Sequence, residues 1–211
     1  LAVQFTGGGE PTVHPDHERI FGRALENGLR CSLVSNGLKW SVTLIESILP
    51  DFDWIRVSID ASDSQSYAET RRTPVSAWKQ VWKNIMQLTD ACKNREQRPQ
   101  IGLGFVVTPQ SYTEIMRFAE IASKSEVDNI RFTAMFSPED DKPFALLYDA
   151  ISNTIKSSRA KYEREDFAVH DNFGSRFEDL QQHAPDYETC SYQHYTAYVG
   201  GDMQAYRCCV L

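Results

Sequence analysis

Hydrophobic and polar residues follow one another along the first two thirds of this chain in two rhythms. Short runs rich in β-branched or aromatic residues recur at 3–6, 30–35, 54–60, 101–107 and 129–134, and that composition predicts β-strands. Between them, apolar residues recur every three or four positions, the period of a helix that buries one face. Ile20, Phe21, Ala24 and Leu25 mark the first helix, with Pro15 and Asp16 at its start and Asn27-Gly28 as its stop. Val42, Ile45, Ile48 and Leu49 mark a second, stopped by Pro50. Trp78, Val81, Trp82, Ile85, Met86 and Leu88 mark a third, and Ile115, Phe118, Ala119 and Ala122 a fourth.

A strand followed by a helix, repeated through residues 1–136, demands a mostly parallel sheet with helical crossovers. The run Ile101-Gly102-Leu103-Gly104-Phe105-Val106-Val107 suits a strand buried on at least one face. Periodicity leaves open whether the sheet is a partial barrel or an open, doubly wound sheet. In both, ligands sit at the C-terminal ends of the strands. Glu10, Ser35, Asn36, Ser58 and Asp60 all lie at such ends. After Phe136 the texture changes. Residues 137–143 are polar and turn-rich, and residues 144–164 read as a long amphipathic helix with Leu147, Ala150, Ile151, Ile155 and Tyr162 on one side. From Asp166 onward the chain reads as aromatic and irregular, ending in two short strands, 195–199 and 203–207, around Gly200-Gly201-Asp202.

Composition narrows the function classes. The 211 residues carry a net charge of -7, which argues against a broad phosphate-binding surface and hence a nucleic-acid partner. No apolar run approaches the length needed to cross a membrane. The five cysteines, Cys31, Cys92, Cys190, Cys208 and Cys209, have no disulfide-scaffold spacing. That favours a reducing, cytoplasmic setting with thiols buried or bound to metal.

The most informative segment is Phe5-Thr6-Gly7-Gly8-Gly9-Glu10-Pro11-Thr12. Glycines at a strand end let a backbone approach a ligand closely, and Glu10 adds a carboxylate able to pair with an ammonium group. The other reading of Glu10 is an acid in the first turn of a helix, favoured by the dipole. Ser58 and Asp60 alternate with Val57 and Ile59, so a continued strand would put both polar groups on one face. Their other reading is a cap for a helix beginning near Ser64. Ser35 and Asn36 could form a turn with Gly37.

Taken together, Gly8-Gly9-Glu10-Pro11 resembles the GGEP element of radical S-adenosylmethionine enzymes. Ser32-Leu33-Val34-Ser35-Asn36-Gly37 resembles that family's third strand and its TNG end, with Ser35 in place of Thr. Trp54-Ile55-Arg56-Val57-Ser58-Ile59-Asp60-Ala61 resembles the fourth strand, and 101–108 the fifth. The resemblance covers residues 1–136 and implies a partial (β/α) barrel. It implies that Gly8, Gly9 and Glu10 hold the methionine end of S-adenosylmethionine, that Ser35 and Asn36 line the site, and that Ser58 and Asp60 orient the ribose. It further implies a 4Fe-4S cluster, a 5′-deoxyadenosyl radical that abstracts a substrate hydrogen, and an electron donor such as flavodoxin or ferredoxin. The CxxxCxxC loop that holds the family's cluster is absent from this sequence. The expectation is therefore a fragment of a longer enzyme, inactive by itself.

The segment from Cys190 through Gly200-Gly201 to Cys208 resembles the start of a SPASM-like auxiliary-cluster region, which implies Cys190 and Cys208 as metal ligands and a peptide as substrate. Partly buried, unligated thiols are the other reading. Three parts are expected: a barrel core at 1–136, a linker and long helix at 137–187, and a truncated auxiliary-cluster-like tail at 188–211. The rival for the whole is a non-catalytic α/β domain that binds a nucleoside-like ligand or a protein partner.

Overall fold

The computed structural model describes residues 1–136, 142–181 and 188–208. Most of the linker read at 137–143, and Cys209, lie outside them. Six strands form one sheet: β1 (Ala2–Phe5), β2 (Arg30–Ser35), β3 (Trp54–Ser58), β4 (Gln100–Val107), β5 (Asn129–Ala134) and β6 (Ala168–Asn172). Every neighbouring pair is parallel, and the spatial order is the chain order, β1 to β6. An order that never reverses has no switch point, so all crossovers of one hand place their helices on one side. The sheet is a partial (β/α) barrel, with a small C-terminal extension beyond it.

The helices are α1 (His17–Glu26), α2 (Ser64–Arg71), α3 (Ser76–Cys92), α4 (Ile115–Ser123), α5 (Tyr148–Tyr162) and α6 (Phe173–Gln181). Outward strand positions pack against them. Phe105 of β4 and Phe132 of β5 meet Phe118 of α4 with ring centroids 4.9 and 6.1 Å away. Phe5 of β1 lies 4.3 Å from Phe21 of α1. Such pairs supply apolar burial and a preferred ring geometry together. Inward positions of β3 to β6 read differently: Trp54, Arg56, Ser58; Gln100, Gly102, Gly104, Val106; Asn129, Arg131, Thr133; Ala168, His170, Asn172. One face is a core and the other a polar concave wall.

Three expectations are corrected. The sheet continues past residue 136: β6 lies in the segment read as irregular, because only Phe167 and Val169 face the core there and three exposed polar residues follow. The second helix is mostly one π turn, Leu44–Ile48, closed by a bond from Leu49 N–H to Leu44 carbonyl. That i to i+5 pairing shifts the buried face to Leu44, Ile45 and Leu49 and leaves Val42 exposed. Finally, β3 ends at Ser58, and Asp60 adopts φ 60° beyond it, so Ser58 and Asp60 do not share a strand face. The helix that follows is capped by Asp63, whose carboxylate accepts from Gln65 and Ser66 N–H, both at 2.9 Å.

In the C-terminal extension the expected hairpin is present but shorter, with β7 (Tyr198–Val199) antiparallel to β8 (Ala205–Tyr206). Among the described residues, no helix is long and apolar enough to cross a membrane.

Candidate functional site

The site starts where β1 ends. Gly7 takes φ 150°, a conformation that side-chain-bearing residues rarely adopt. A Cβ there would lie 3.5 Å from the Tyr198 hydroxyl, so the C-terminal extension reaches over this loop. Among the described residues, nothing lies within 4 Å of a Cβ placed on Gly8 or Gly9, so their backbone faces open space there.

Glu10 then caps a short 3-10 turn, Pro11–Val13. Its Oε1 accepts from Thr12 N–H (3.0 Å), the Thr12 hydroxyl (2.7 Å) and the Ser35 hydroxyl (2.7 Å). Its Oε2 accepts from Asn36 N–H at 2.6 Å. One carboxylate thus ties the end of β1 to the end of β2. A carboxylate has about four acceptor directions, and on Oε2 one of its two stays open. Ser35 is itself held, its oxygen accepting from Gly37 N–H and Trp40 Nε1, each at 3.0 Å. The Asn36 side chain accepts from Leu38 N–H (2.9 Å), closing the turn expected there.

Asp60 is buried, with 8% of its surface exposed. One oxygen accepts from Val106 N–H (2.7 Å), and the other from Arg71 Nη2 (2.5 Å). Burial pushes the Asp60 carboxyl above its ordinary value, against the pull of Arg71 and of the Val106 N–H. Arg71 is thereby committed to Asp60. Ser58 is half-buried on the concave wall beside Gly104. The two acids lie at the same end of the sheet. The buried Tyr67 hydroxyl is raised mainly by burial, and both Asp60 and Glu10 add to that shift while Arg71 opposes it.

Several residues that shape this end carried no signal in the sequence. Asn84 of α3 donates to the Gly37 carbonyl (2.7 Å) and Leu38 carbonyl (3.2 Å), holding the turn after β2. Glu114 accepts from Ser62 N–H (2.6 Å) and the Ser66 hydroxyl (2.9 Å), bracing the loop after β3. Each acts across more than forty residues of chain, which local pattern does not encode.

Cys190 and Cys208 are both exposed in the extension, whereas Cys31 and Cys92 are buried among apolar side chains. Among the described residues, no group of three or more His, Cys, Asp or Glu side chains is placed to hold a metal ion.

No protein-family model matches the sequence, and no curated protein matches it. Solved structures do. Archaeal TYW1 superposes with a TM-score of 0.53 at 22% identity, over 74% of this chain and 48% of that one. Streptococcus suis SuiB bound to S-adenosylmethionine superposes with a TM-score of 0.60 at 15% identity, over 89% of this chain and 42% of that one. A domain of pyruvate-formate lyase-activating enzyme from Bacteroides vulgatus ATCC 8482 gives 0.57 at 14% identity, over 80% of this chain and 98% of that one. These likenesses show the fold, a partial (β/α) barrel shared with those structures. This chain spans less than half the length of the TYW1 and SuiB structures it matches. Within this barrel, the glycine ledge, Glu10, Ser35, Asn36, Ser58 and Asp60 all lie at the C-terminal end of β1 to β3, the end at which (β/α) barrels carry their sites.

Proposed function

We propose that this chain is the cofactor-binding core of a radical S-adenosylmethionine enzyme. The observation that carries the reading is the fixed Glu10 carboxylate beside the open backbone of Gly8 and Gly9. That ledge fits a ligand ammonium: the open direction on Oε2 takes one N–H, and none of the described residues fills the space beside Gly8 and Gly9. Ser58, on the concave wall, offers a hydroxyl to the ribose, and Asp60 shapes the wall by pinning β4 through Val106 N–H rather than by meeting the ligand. Asn36 N–H and Ser35 keep the carboxylate aimed.

When bound, S-adenosylmethionine supplies the 5′-deoxyadenosyl radical that abstracts a substrate hydrogen; the chain's own share is to bind, orient and exclude water. The described residues do not fit a main 4Fe-4S cluster: no three of their His, Cys, Asp or Glu side chains converge to hold one. In this reading Cys190 and Cys208 are two candidate ligands of an auxiliary cluster, the substrate is a small molecule or peptide, and the electron donor is a flavodoxin- or ferredoxin-like protein of the cytoplasm.

A second reading has its own support. Glu10 and Asp60 are already bonded within the chain, as acids with a purely structural duty would be. A non-catalytic α/β domain that binds a nucleoside-like ligand fits that pattern. Calorimetric titration separates the two. S-adenosylmethionine should bind the wild-type chain, and E10Q should weaken it about tenfold while leaving 5′-deoxyadenosine, which lacks the ammonium, unchanged. Equal binding of 5′-deoxyadenosine and S-adenosylmethionine by both proteins favours the second reading.

A further inference from the structure

The concave wall holds two arginines that no acid answers among the described residues. Arg56 of β3 and Arg131 of β5 flank Gly104 of β4. Arg131 is in register with Gly104, and the Arg56 stem runs over it, with Cδ 3.5 Å and Cγ 3.7 Å from where a Gly104 Cβ would stand. The Nε atoms of both are buried without a hydrogen-bond partner, and among the described residues neither side chain forms an ion pair. Arg56 also lies over the Trp54 ring, 5.3 Å from its centroid. Burial first, and then the nearby Arg131 charge, lower the Arg56 guanidinium to about 10.

No Asp or Glu occupies an inward position of β3 to β6. Asp171 of β6 is in register with outward-facing Phe132 and accepts from Phe173 N–H at 3.0 Å. Buried charges in proteins are ordinarily paired. Two half-buried like charges beside a glycine gap, with no acid paired to them among the described residues, therefore make half of a site. Asn129 Oδ1, also buried and unbonded, adds a third unsatisfied polar group to this wall.

Above Arg131 the wall opens into a cavity of about 360 Å³ lined by Thr133, Asn172, Ser175, Arg176 and Asp179 as well. Asp179 is turned to Arg176 at 3.7 Å. The cavity meets the first turn of α6 at Asn172, Ser175 and Arg176, beside the Phe173 N–H that Asp171 already caps. We propose that Arg56 and Arg131 bind an oxyanion, carboxylate or phosphate, carried by the substrate rather than by the cofactor.

The separation from Glu10 makes the assignment. β5 lies four strands from β1, about 19 Å along a sheet whose strands are about 4.8 Å apart. An amino acid carries its ammonium and carboxylate on one carbon. A ligand held by its ammonium at Glu10 therefore cannot reach Arg131 with that carboxylate. The inference rests on the proposed function only in naming the second ligand as substrate.

The test uses the whole chain. Phenylglyoxal modifies arginines, and peptide mass spectrometry reads each site. Succinate or inorganic phosphate should slow modification of Arg56 and Arg131 at least fivefold, while exposed Arg19 is unaffected. The two anions report which oxyanion is preferred. Saturating S-adenosylmethionine should leave the protection in place. In parallel, R131Q and R56Q with wild-type far-ultraviolet spectra should bind the protecting anion at least tenfold more weakly and bind S-adenosylmethionine as wild type does. Protection by neither anion overturns the site. Loss of protection on adding S-adenosylmethionine overturns its assignment to the substrate. If succinate or phosphate protects but S-adenosylmethionine does not bind at all, the proposed function falls and the anion site stands.

Discussion

Replacing Glu10 by alanine should unfasten β1 from β2, and the size of the effect follows from the four bonds its carboxylate accepts. Two come from hydroxyls, on Thr12 and Ser35, which can rotate toward water or other acceptors once the carboxylate is gone. The other two come from backbone N–H groups, of Thr12 at 3.0 Å and Asn36 at 2.6 Å, which cannot turn away. A hydrogen bond to a charged group contributes about 1.5–3 kcal/mol, and this site is half-buried, so the low end applies to each. The expected loss is about 3 kcal/mol. In a chain of 211 residues, about 2–4 °C of melting temperature corresponds to 1 kcal/mol, so E10A should melt about 6–12 °C lower. E10Q keeps the shape but turns an NH2 toward either Asn36 N–H or Thr12 N–H, one donor facing another, and should lose about half as much. Thermal melting followed by circular dichroism reads both. Hydrogen exchange at the Asn36 amide should accelerate in E10A by more than at amides of α4, far from the tie. An E10A protein that melts within about 1 °C of wild type, with Asn36 still protected, would refute this account of the site's rigidity.

Other substitutions test neighbouring parts of the argument. Gly37 has φ 70°, and a Cβ there would stand 2.8 Å from Val57 Cγ1, which is fully buried; G37A should cost about 2–4 kcal/mol in a urea titration, from left-handed strain and overpacking together. N84L leaves the Gly37 and Leu38 carbonyls without their donor and should lower stability by about 1–3 kcal/mol, read from the urea midpoint at unchanged slope. The N–H groups of Ser66 and Gln65 hold the Asp63 carboxyl below its ordinary value, so its stabilisation is complete above about pH 4 and lost as pH falls through the lower folded-state value. The melting difference between wild type and D63N should therefore be present at pH 6 and vanish toward pH 2. R56M removes one of two half-buried like charges and should raise the melting temperature in low-salt buffer without phosphate; a fall of several degrees would mean that the Arg56 charge is already compensated.

How far the sequence could be read varied by element, for physical reasons. The strands at 30–35 and 129–134 were legible because each is a run of residues that fits a half-buried pleat, bounded by turn residues. The strand at 168–172 was not, because its inward face is polar and exposed and only Phe167 and Val169 reach the core. The helix at 42–49 was legible as a helix but its buried face was not, since a π turn moves the phase by one residue. Glu10, Ser35 and Asn36 could be picked out by their positions after strands, and they do meet. Asp60 could be picked out too, but not its partners: the left-handed turn at Asp60 and the reach of Arg71 and Val106 belong to the assembled barrel.

What the sequence by itself determined was local: alternating strand and helix, a parallel sheet, a glycine ledge ending in a carboxylate, and the strand ends at which polar residues gather. These follow from side-chain period and backbone freedom, which act within a few residues. Only the tertiary structure decided between a barrel and a doubly wound sheet, because both have the same alternation and differ only in spatial strand order. It alone showed that Gly102 and Gly104 clear room for Asn129 and Arg56. It alone brought Arg56 and Arg131 together across a third strand, from positions seventy-five residues apart. Register between non-adjacent segments is set by packing the whole sheet at once, and no stretch of chain carries that information alone.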